Sequence, residues 1–376
     1  MKRLLLLCFA FPCLCPAIDA QLQGQAYIDS LLTELPRAIE DTNKVRLLNN
    51  LSDKYYRTQP DEGLIYGEQA LALAEKLNYT LGIGSAYNKI GFCYFSKRDY
   101  PKTQEYLEKS TEIVKALGDK GNLRRNYIGL GLVHEYKNDY QKALDYYLMG
   151  LPMFQETRLR PALITVNKNV ANMYGKLFDH DHEREMYLQL LRMGEEDKDN
   201  ALIAFALSNI GSTYYATGNY PRAIESHLAA LRLQEKIDNP VEMARVNSRM
   251  ATAYEALGDH DKSLFYYDKA LTWWEKTDRT HDIGLTLSNI GSVHDLLKDD
   301  EKALDYYLRA LTIMEKSDNK EYLAYVQYNI AGIYNQRKDY IQAINYLRQA
   351  RQTSSQLNQA PSYALSQGLI GRVYLG

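Results

Sequence analysis

The chain has 376 residues, 45% of them hydrophobic and 24% charged, with a formal net charge of −2. This is the balance of an ordered protein, and it offers no global field for nucleic acid or anionic lipid. Of the four cysteines, Cys8, Cys13 and Cys15 cluster at the N-terminus, so Cys93 has no internal disulfide partner and reads as a core residue.

Residues 1–20, MKRLLLLCFAFPCLCPAIDA, place Lys2 and Arg3 before an apolar run that ends at Pro16 and Ala20. The pattern predicts a secretory signal peptide cleaved near Ala20, with the mature chain exported to a periplasmic or extracellular space. The run is too short to span a bilayer, and no later segment is apolar for long enough, so no membrane span is expected in the mature chain. Residues 21–42 are expected to hold one introductory helix.

From there the chain repeats. Leu207–Leu231 reads LSNIGSTYYATGNYPRAIESHLAAL, and Leu287–Leu311 answers it with LSNIGSVHDLLKDDEKALDYYLRAL. A small residue recurs every 40 positions, at Gly91, Gly131, Ala171, Gly211, Ala251, Gly291, Ala331 and Gly371, and an off-phase copy centres on Ser52. Such a period predicts a solenoid, because each unit alone cannot bury its apolar face and a stack can.

Within the unit, Leu207, Ile210, Gly211 and Tyr214 share one helix face, defining helix A. Glycine in mid-helix costs up to about 1 kcal/mol relative to alanine, so its recurrence implies a close helix–helix approach. Gly218-Asn219 ends helix A, and Pro221 suits the first turn of helix B. Ala223, Ser226, His227, Ala230 and Leu231 form the second stripe. Repeat 1 takes Gly63 and Ala70 as its small helix B positions. Acidic and Asn-rich joints separate the repeats: Gly118-Asp119, Asp238-Asn239-Pro240 and Ser317-Asp318-Asn319. Repeat 4 departs from the pattern, with Glu183 and Leu190 where small residues are usual and a charged end at 195–199, so looser or shifted packing is expected there.

The skeleton G/A-x-x-Y, D/N-Y-x-x-A, Y-Y-x-x-A-L resembles the tetratricopeptide repeat over roughly residues 43–376. The longer period is similar to the extended repeats of kinesin light chains, cell-polarity adaptors and bacterial peptide-sensing regulators; HEAT and armadillo arrays lack this skeleton. The resemblance implies an all-α fold, a right-handed superhelix of antiparallel helix pairs. Eight repeats are expected over 43–360, centred on Ser52, Gly91, Gly131, Ala171, Gly211, Ala251, Gly291 and Ala331. Residues 361–376 read as the single first helix of a ninth repeat. That helix lacks the polar outer face of a cap, so a shortened natural array is expected, with a short exposed cap as the alternative.

In that family the A helices line the inner groove, and offsets of −6, −3, −2, +1 and +5 from the small anchor tend to face it. The −2 column reads Asn50, Lys89, Gly129, Asn169, Asn209, Arg249, Asn289, Asn329. Asparagine is a poor mid-helix residue, and its amide can pair with both the N–H and the C=O of a peptide. In extended-repeat relatives such a column holds an extended peptide, which implies peptide binding by Asn50, Asn169, Asn209, Asn289 and Asn329; helix capping or hydration is the other use for them. Lys168, Asn172, Asn209, Arg245 and Arg249 further resemble the dicarboxylate clamp of chaperone-binding members, with Arg245 in place of a lysine. Arg245 and Arg249, at i and i+4, repel unless an anion is bound.

No catalytic constellation emerges. Gly82-Ile83-Gly84 and Gly129-Leu130-Gly131 lie in helices and are not phosphate loops. His180-Asp181-His182-Glu183 sits at a turn without a second cluster, so neither metal nor cofactor is expected. Trp273-Trp274, late in a helix B, are expected to pack or to lie at the repeat edge. The expected function is an exported, non-enzymatic scaffold for a protein or peptide ligand. The alternative is the sensory part of a bacterial signalling protein, such as a histidine kinase or transcriptional regulator.

Overall fold

The computed structural model describes residues 16–355 apart from 158 and 318. The expected leader up to residue 15 and the helix over 361–376 lie outside the described residues. The described chain holds 17 α-helices and one 3₁₀ turn, with no strand among the described residues. It divides into two compact units at Phe178–Asp179, inside repeat 4, the repeat whose pattern is irregular.

The first unit opens with α1 (Pro16–Glu34), which begins earlier and ends earlier than the expected introductory helix; a 3₁₀ turn at Leu35–Arg37 follows, where Pro36 breaks the register. Then come α2 (Thr42–Tyr55), α3 (Pro60–Lys76), α4 (Thr80–Ser96), α5 (Tyr100–Ala116), α6 (Lys120–Tyr136), α7 (Tyr140–Gln155) and α8 (Arg160–Lys176). The second unit comprises α9 (His180–Asp197), α10 (Asn200–Ala216), α11 (Tyr220–Ile237), α12 (Pro240–Ala256), α13 (His260–Lys276), α14 (Thr280–Leu296), α15 (Asp300–Met314), α16 (Lys320–Gln336) and α17 (Tyr340–Ser355). From α2 onward, even-numbered helices are A helices and odd-numbered ones are B helices.

The joints act as helix starts. Asp119, Asp199, Asn239 and Asn319 are N-caps whose side chains accept backbone N–H groups two or three residues on, and Asp99, Asp139, Asp179, Asn219, Asp259 and Asp299 do the same between A and B helices. Each such cap contributes about 1 kcal/mol, which recurs along the array.

The small anchor of helix A accommodates a large side chain of its own helix B. In the first unit Leu107 packs on Gly91 and the Tyr147 ring lies on Gly131; in the second His227 covers Gly211 and Tyr307 covers Gly291. Any Cβ at these glycines collides with the partner side chain. Gly63, one of the expected helix B small positions, likewise faces Cys93, and its carbonyl accepts from Ser52 Oγ at 2.7 Å. Ring pairs one step along each helix stack in both units: Tyr94–Tyr106 at 5.5 Å in the first, Tyr254–Tyr266 at 5.4 Å and Tyr334–Tyr346 at 5.7 Å in the second. Many of the tyrosines are therefore structural. Trp274 is buried in the core and Trp273 is half-buried beneath Lys276, which agrees with the expected packing role.

Candidate peptide-binding groove

Within each unit, A helices of successive repeats approach one another directly: α2 with α4 and α4 with α6 in the first, α10 with α12 and α14 with α16 in the second. This crowding makes the A helices the inner layer of each stack. The −2 column lies along that layer.

In the first unit the column changes chemistry from helix to helix. Asn50 on α2 is exposed, Lys89 on α4 is buried, and Gly129 on α6 packs against Leu107 and Phe92. Asn169 on α8 is half-buried. Lys89 Nζ donates to Asp53 Oδ1 at 2.9 Å, and Arg125 Nη2 donates to the same oxygen at 2.6 Å. Three A helices thus converge on one carboxylate. Burial pushes the Asp53 carboxyl upward, but Lys89 and Arg125 outweigh it and hold the group below its usual range. Burial, reinforced by Arg125, pulls the Lys89 ammonium below its usual range despite Asp53. The Arg125 guanidinium also lies 5.2 Å from the Phe92 ring centroid.

In the second unit the column is mostly amide. Asn209 Nδ2 donates to the Phe205 carbonyl of its own helix at 2.8 Å, so this amide is partly committed. Asn289 is half-buried, and Asn329 has its Nδ2 buried with no hydrogen-bond partner among the described residues. An unmet buried donor costs about 1–3 kcal/mol, which a passing backbone carbonyl would relieve. Arg249 Nη1 donates to Ser208 Oγ at 2.6 Å, and Arg245 pairs with Glu242. Burial lowers the Arg249 pKa, and the neighbouring Arg245 charge adds to that shift. His227, behind Gly211, is held neutral: burial, then Arg249, pull its pKa to about 3.

The residues of the expected clamp are distributed over both units. Lys168 and Asn172 stand on α8 of the first, and Asn209, Arg245 and Arg249 on α10 and α12 of the second. In the second unit the two arginines already have partners, Glu242 and Ser208, that an incoming carboxylate must displace or share.

Reading single columns missed Asp53, Arg125 and Ser208. The signal was present: Asp53 stands at +1, Lys89 at −2 and Arg125 at −6 of three consecutive anchors, offsets that converge only when read across repeats. Among the described residues no group of three or more His, Cys, Asp or Glu side chains could hold a metal. His180 pairs with Glu183 and His182 with Asp179, as local helix-start contacts. Burial pushes the Cys93 thiol up to about 11, which leaves it unreactive as a nucleophile.

Tetratricopeptide-repeat family profiles match residues 82–156, 206–239, 242–316 and 324–350, more than half of the chain. The chain belongs to the tetratricopeptide repeat family. No curated protein sequence matches it. Among solved structures, this tetratricopeptide repeat protein is similar to the apo quorum sensor NprR from B. thuringiensis, at 19% identity and a TM-score of 0.62, covering 90% of this chain and 95% of that one. It is similar to a signal-transduction ATPase from Pyrococcus horikoshii with a tetratricopeptide repeat sensor, at 14% identity and a TM-score of 0.58, covering 88% of this chain and 52% of that one. It is also similar to a Rap protein complexed with Competence and Sporulation Factor, at 12% identity and a TM-score of 0.51, covering 89% of this chain and 98% of that one. At these identities the likeness concerns the fold.

Proposed function

We propose that this tetratricopeptide repeat protein is a non-enzymatic scaffold that holds an extended peptide segment along the A helices of its second unit. The observation that carries the reading is the pair Asn289 and Asn329, amides on neighbouring A helices with no committed partner among the described residues, one of them with a buried, unmet donor. An extended backbone offers alternating carbonyl and N–H groups, which two such amides can meet without regard to side-chain sequence. Asn209 extends the row, and Arg245 with Arg249 would receive an acidic group near it. Asn50, Asn169, Lys168 and Asn172 would serve the same role on the first unit. The quorum sensor and the factor-bound Rap protein, similar in fold, are in keeping with this use. The leader-like stretch from Met1 to Ala20 supports export of the chain, and the sensor-bearing ATPase favours a second reading, the sensory part of a signalling protein.

The test is a peptide-array screen on the purified chain, followed by affinity measurement on an Asn289→Ala/Asn329→Ala double variant. Two lost hydrogen bonds at about 1 kcal/mol each predict roughly thirtyfold weaker binding with an unchanged thermal midpoint. Unchanged affinity for a peptide mapped to the second unit removes the asparagine row from the site.

A further inference from the structure

The −2 column breaks its own rule at Lys89, and the surroundings of that lysine define a second site. Lys89 is 8% exposed, yet its ammonium, with three protons to donate, has a single hydrogen-bond acceptor among the described residues, Asp53 Oδ1. Arg125 draws on the same oxygen with one of its five N–H groups. Two cations therefore share one carboxylate at a place only partly open to water. Asp119 lies near enough to act on Lys89, but with Arg46 beside them the three cations still outnumber the two carboxylates, and burial makes such an excess costly unless a further anion is supplied.

Lys89 also lines a cavity of about 190 Å³ in the first unit, together with Arg46, Asn49, Asn50, Ser85 and Asn122. Arg46 is exposed at its rim and has no ion pair among the described residues. Asn49 is 5% exposed with an unpartnered Oδ1. Asp119 is the one carboxylate in the lining, and it is engaged in capping α6, accepting from the N–H groups of Gly121 and Asn122. The lining is thus polar and net positive, its charged donors being Lys89 and Arg46 while Asn49 Oδ1 is an unmet acceptor and Asn122 Nδ2 already donates to Asp119, and it is too small for more than one polar side chain or a small ion.

We infer that the first unit carries an oxyanion site centred on Lys89, flanked by Arg46 and Arg125, that takes the carboxylate of an acidic side chain and in which Asp53 is a built-in competitor. Asp53 sets the affinity: it keeps the two cations folded together on the inner surface while taking up half of their charge. The amide row of the second unit selects backbone; this site selects charge, and it stands whether or not that row binds a peptide. The same donors can hold a free oxyanion such as phosphate, so the chemistry is shared and the source is a matter for measurement.

The probes are an N-acetylated, C-amidated hexapeptide of polar residues with one central glutamate, the same peptide with glutamine, and inorganic phosphate. All are titrated calorimetrically into the full chain at low salt. The glutamate peptide should bind at least about tenfold tighter than the glutamine peptide, and Lys89→Met should abolish that difference. Asp53→Asn removes the competitor and should tighten binding by about tenfold, while the Asn289→Ala/Asn329→Ala variant should leave the glutamate preference intact. Phosphate binding more tightly than the glutamate peptide, with the same response to Lys89→Met, assigns the site to a free oxyanion; the reverse order assigns it to a peptide. If Asp53→Asn unfolds, Arg46→Ala at the exposed rim carries the test, with an expected severalfold loss. Equal binding of the glutamate and glutamine peptides with no phosphate binding, or no response to Lys89→Met, overturns the proposal, as does an unchanged affinity in folded Asp53→Asn.

Discussion

Asp53, Lys89 and Arg125 give the first unit a charged cluster on its inner face, whereas the −2 column of the second carries Asn209, Asn289 and Asn329 with Arg249 among them. The scaffolds beneath are alike. Both units seat a helix B side chain on a glycine of helix A, and both stack rings one step away. The difference shows which positions packing holds and which it releases. At the glycine anchors, Gly91, Gly131, Gly211 and Gly291, a collision awaits any added atom. At −2, +1 and −6 the residue type varies from repeat to repeat, at −2 between charge and amide, with Gly129 the exception there, where an added Cβ would meet Leu107. A second difference lies under the surface. The side chain on the anchor is Leu107 or Tyr147 in the first unit, but His227 in the first complete repeat of the second.

The largest consequence of that difference is acid sensitivity. His227 is 1% exposed and neutral, with a folded pKa of about 3, against roughly 6.5 when unfolded. Its folded pKa is depressed, so the unfolded state takes up the proton first and stability falls as the pH drops from about 6.5 toward 3. Within that window the slope approaches about 1.4 kcal/mol per pH unit, the value for one proton bound by the unfolded state alone. In the first unit the counterpart is Asp53, also depressed, whose contribution is complete above about pH 4 and lost only below it. Acid titration with hydrogen-exchange readout should therefore open the second unit first. His227→Phe should flatten the slope between about pH 6 and 4. A first unit that opens earlier, or a slope unchanged by His227→Phe, breaks the comparison.

Steric cost is next. In Gly131→Val the new side chain meets the Tyr147 ring, and overpacking of this kind costs about 1–3 kcal/mol. The expected outcome is a lower denaturation midpoint with local loss of protection in α6 and α7, because a repeat couples chiefly to its neighbours. Gly332 on α16 is the control from the second unit, since a Cβ there meets nothing within 4 Å. Gly332→Ala should stabilise by about 0.4–1 kcal/mol through the unfolded chain. Opposite signs for two helical glycines would separate the glycine required by a close approach from the glycine that is dispensable.

Much of this was legible in the residue pattern. The period of 40, the small anchors and the Asp/Asn joints located the A and B helices from Ser52 to Ala331, because each reflects a local constraint repeated along the array. The irregular helix B at Glu183 and Leu190 coincided with the division at Phe178–Asp179. What stayed hidden was relational. Asp53 binds partners 36 and 72 residues away, and neither spacing is the repeat period, because each contact steps from one repeat to another at a different offset. Asn209 looked identical to Asn329, and only the helix backbone distinguishes them, the first being bonded to Phe205 and the second not.

The smallest expected effect concerns the turns between A and B helices, where the units again differ. In the second unit Gly218 and Gly258 take the left-handed backbone, each at φ +77, and a Cβ on either would touch nothing, while Lys298 at φ 61 and Lys338 at φ 63 hold the same position in its later repeats. These glycines serve conformation alone. In the first unit the same turn position is Arg98 at φ 60 and Asn138 at φ 58, with no glycine. The hydrogen bonding is the same in both: Asp99 N–H donates to the Tyr94 carbonyl at 3.0 Å, and Asn219 N–H to the Tyr214 carbonyl at 2.8 Å. Geometry is thus held constant while the residue varies. A non-glycine residue in this region costs roughly 1–2 kcal/mol, and glycine returns part of that gain through its freer unfolded chain, about 0.4–1 kcal/mol. Arg98→Gly should therefore stabilise the first unit, and Gly218→Ala destabilise the second, each by about 0.5 kcal/mol. Asn138→Gly should do less than Arg98→Gly, since asparagine tolerates the left-handed region. Chemical denaturation with m-values compared resolves shifts of this size. Equal and negligible effects at all three would mean that helix packing on either side, and not the turn residue, sets the backbone there.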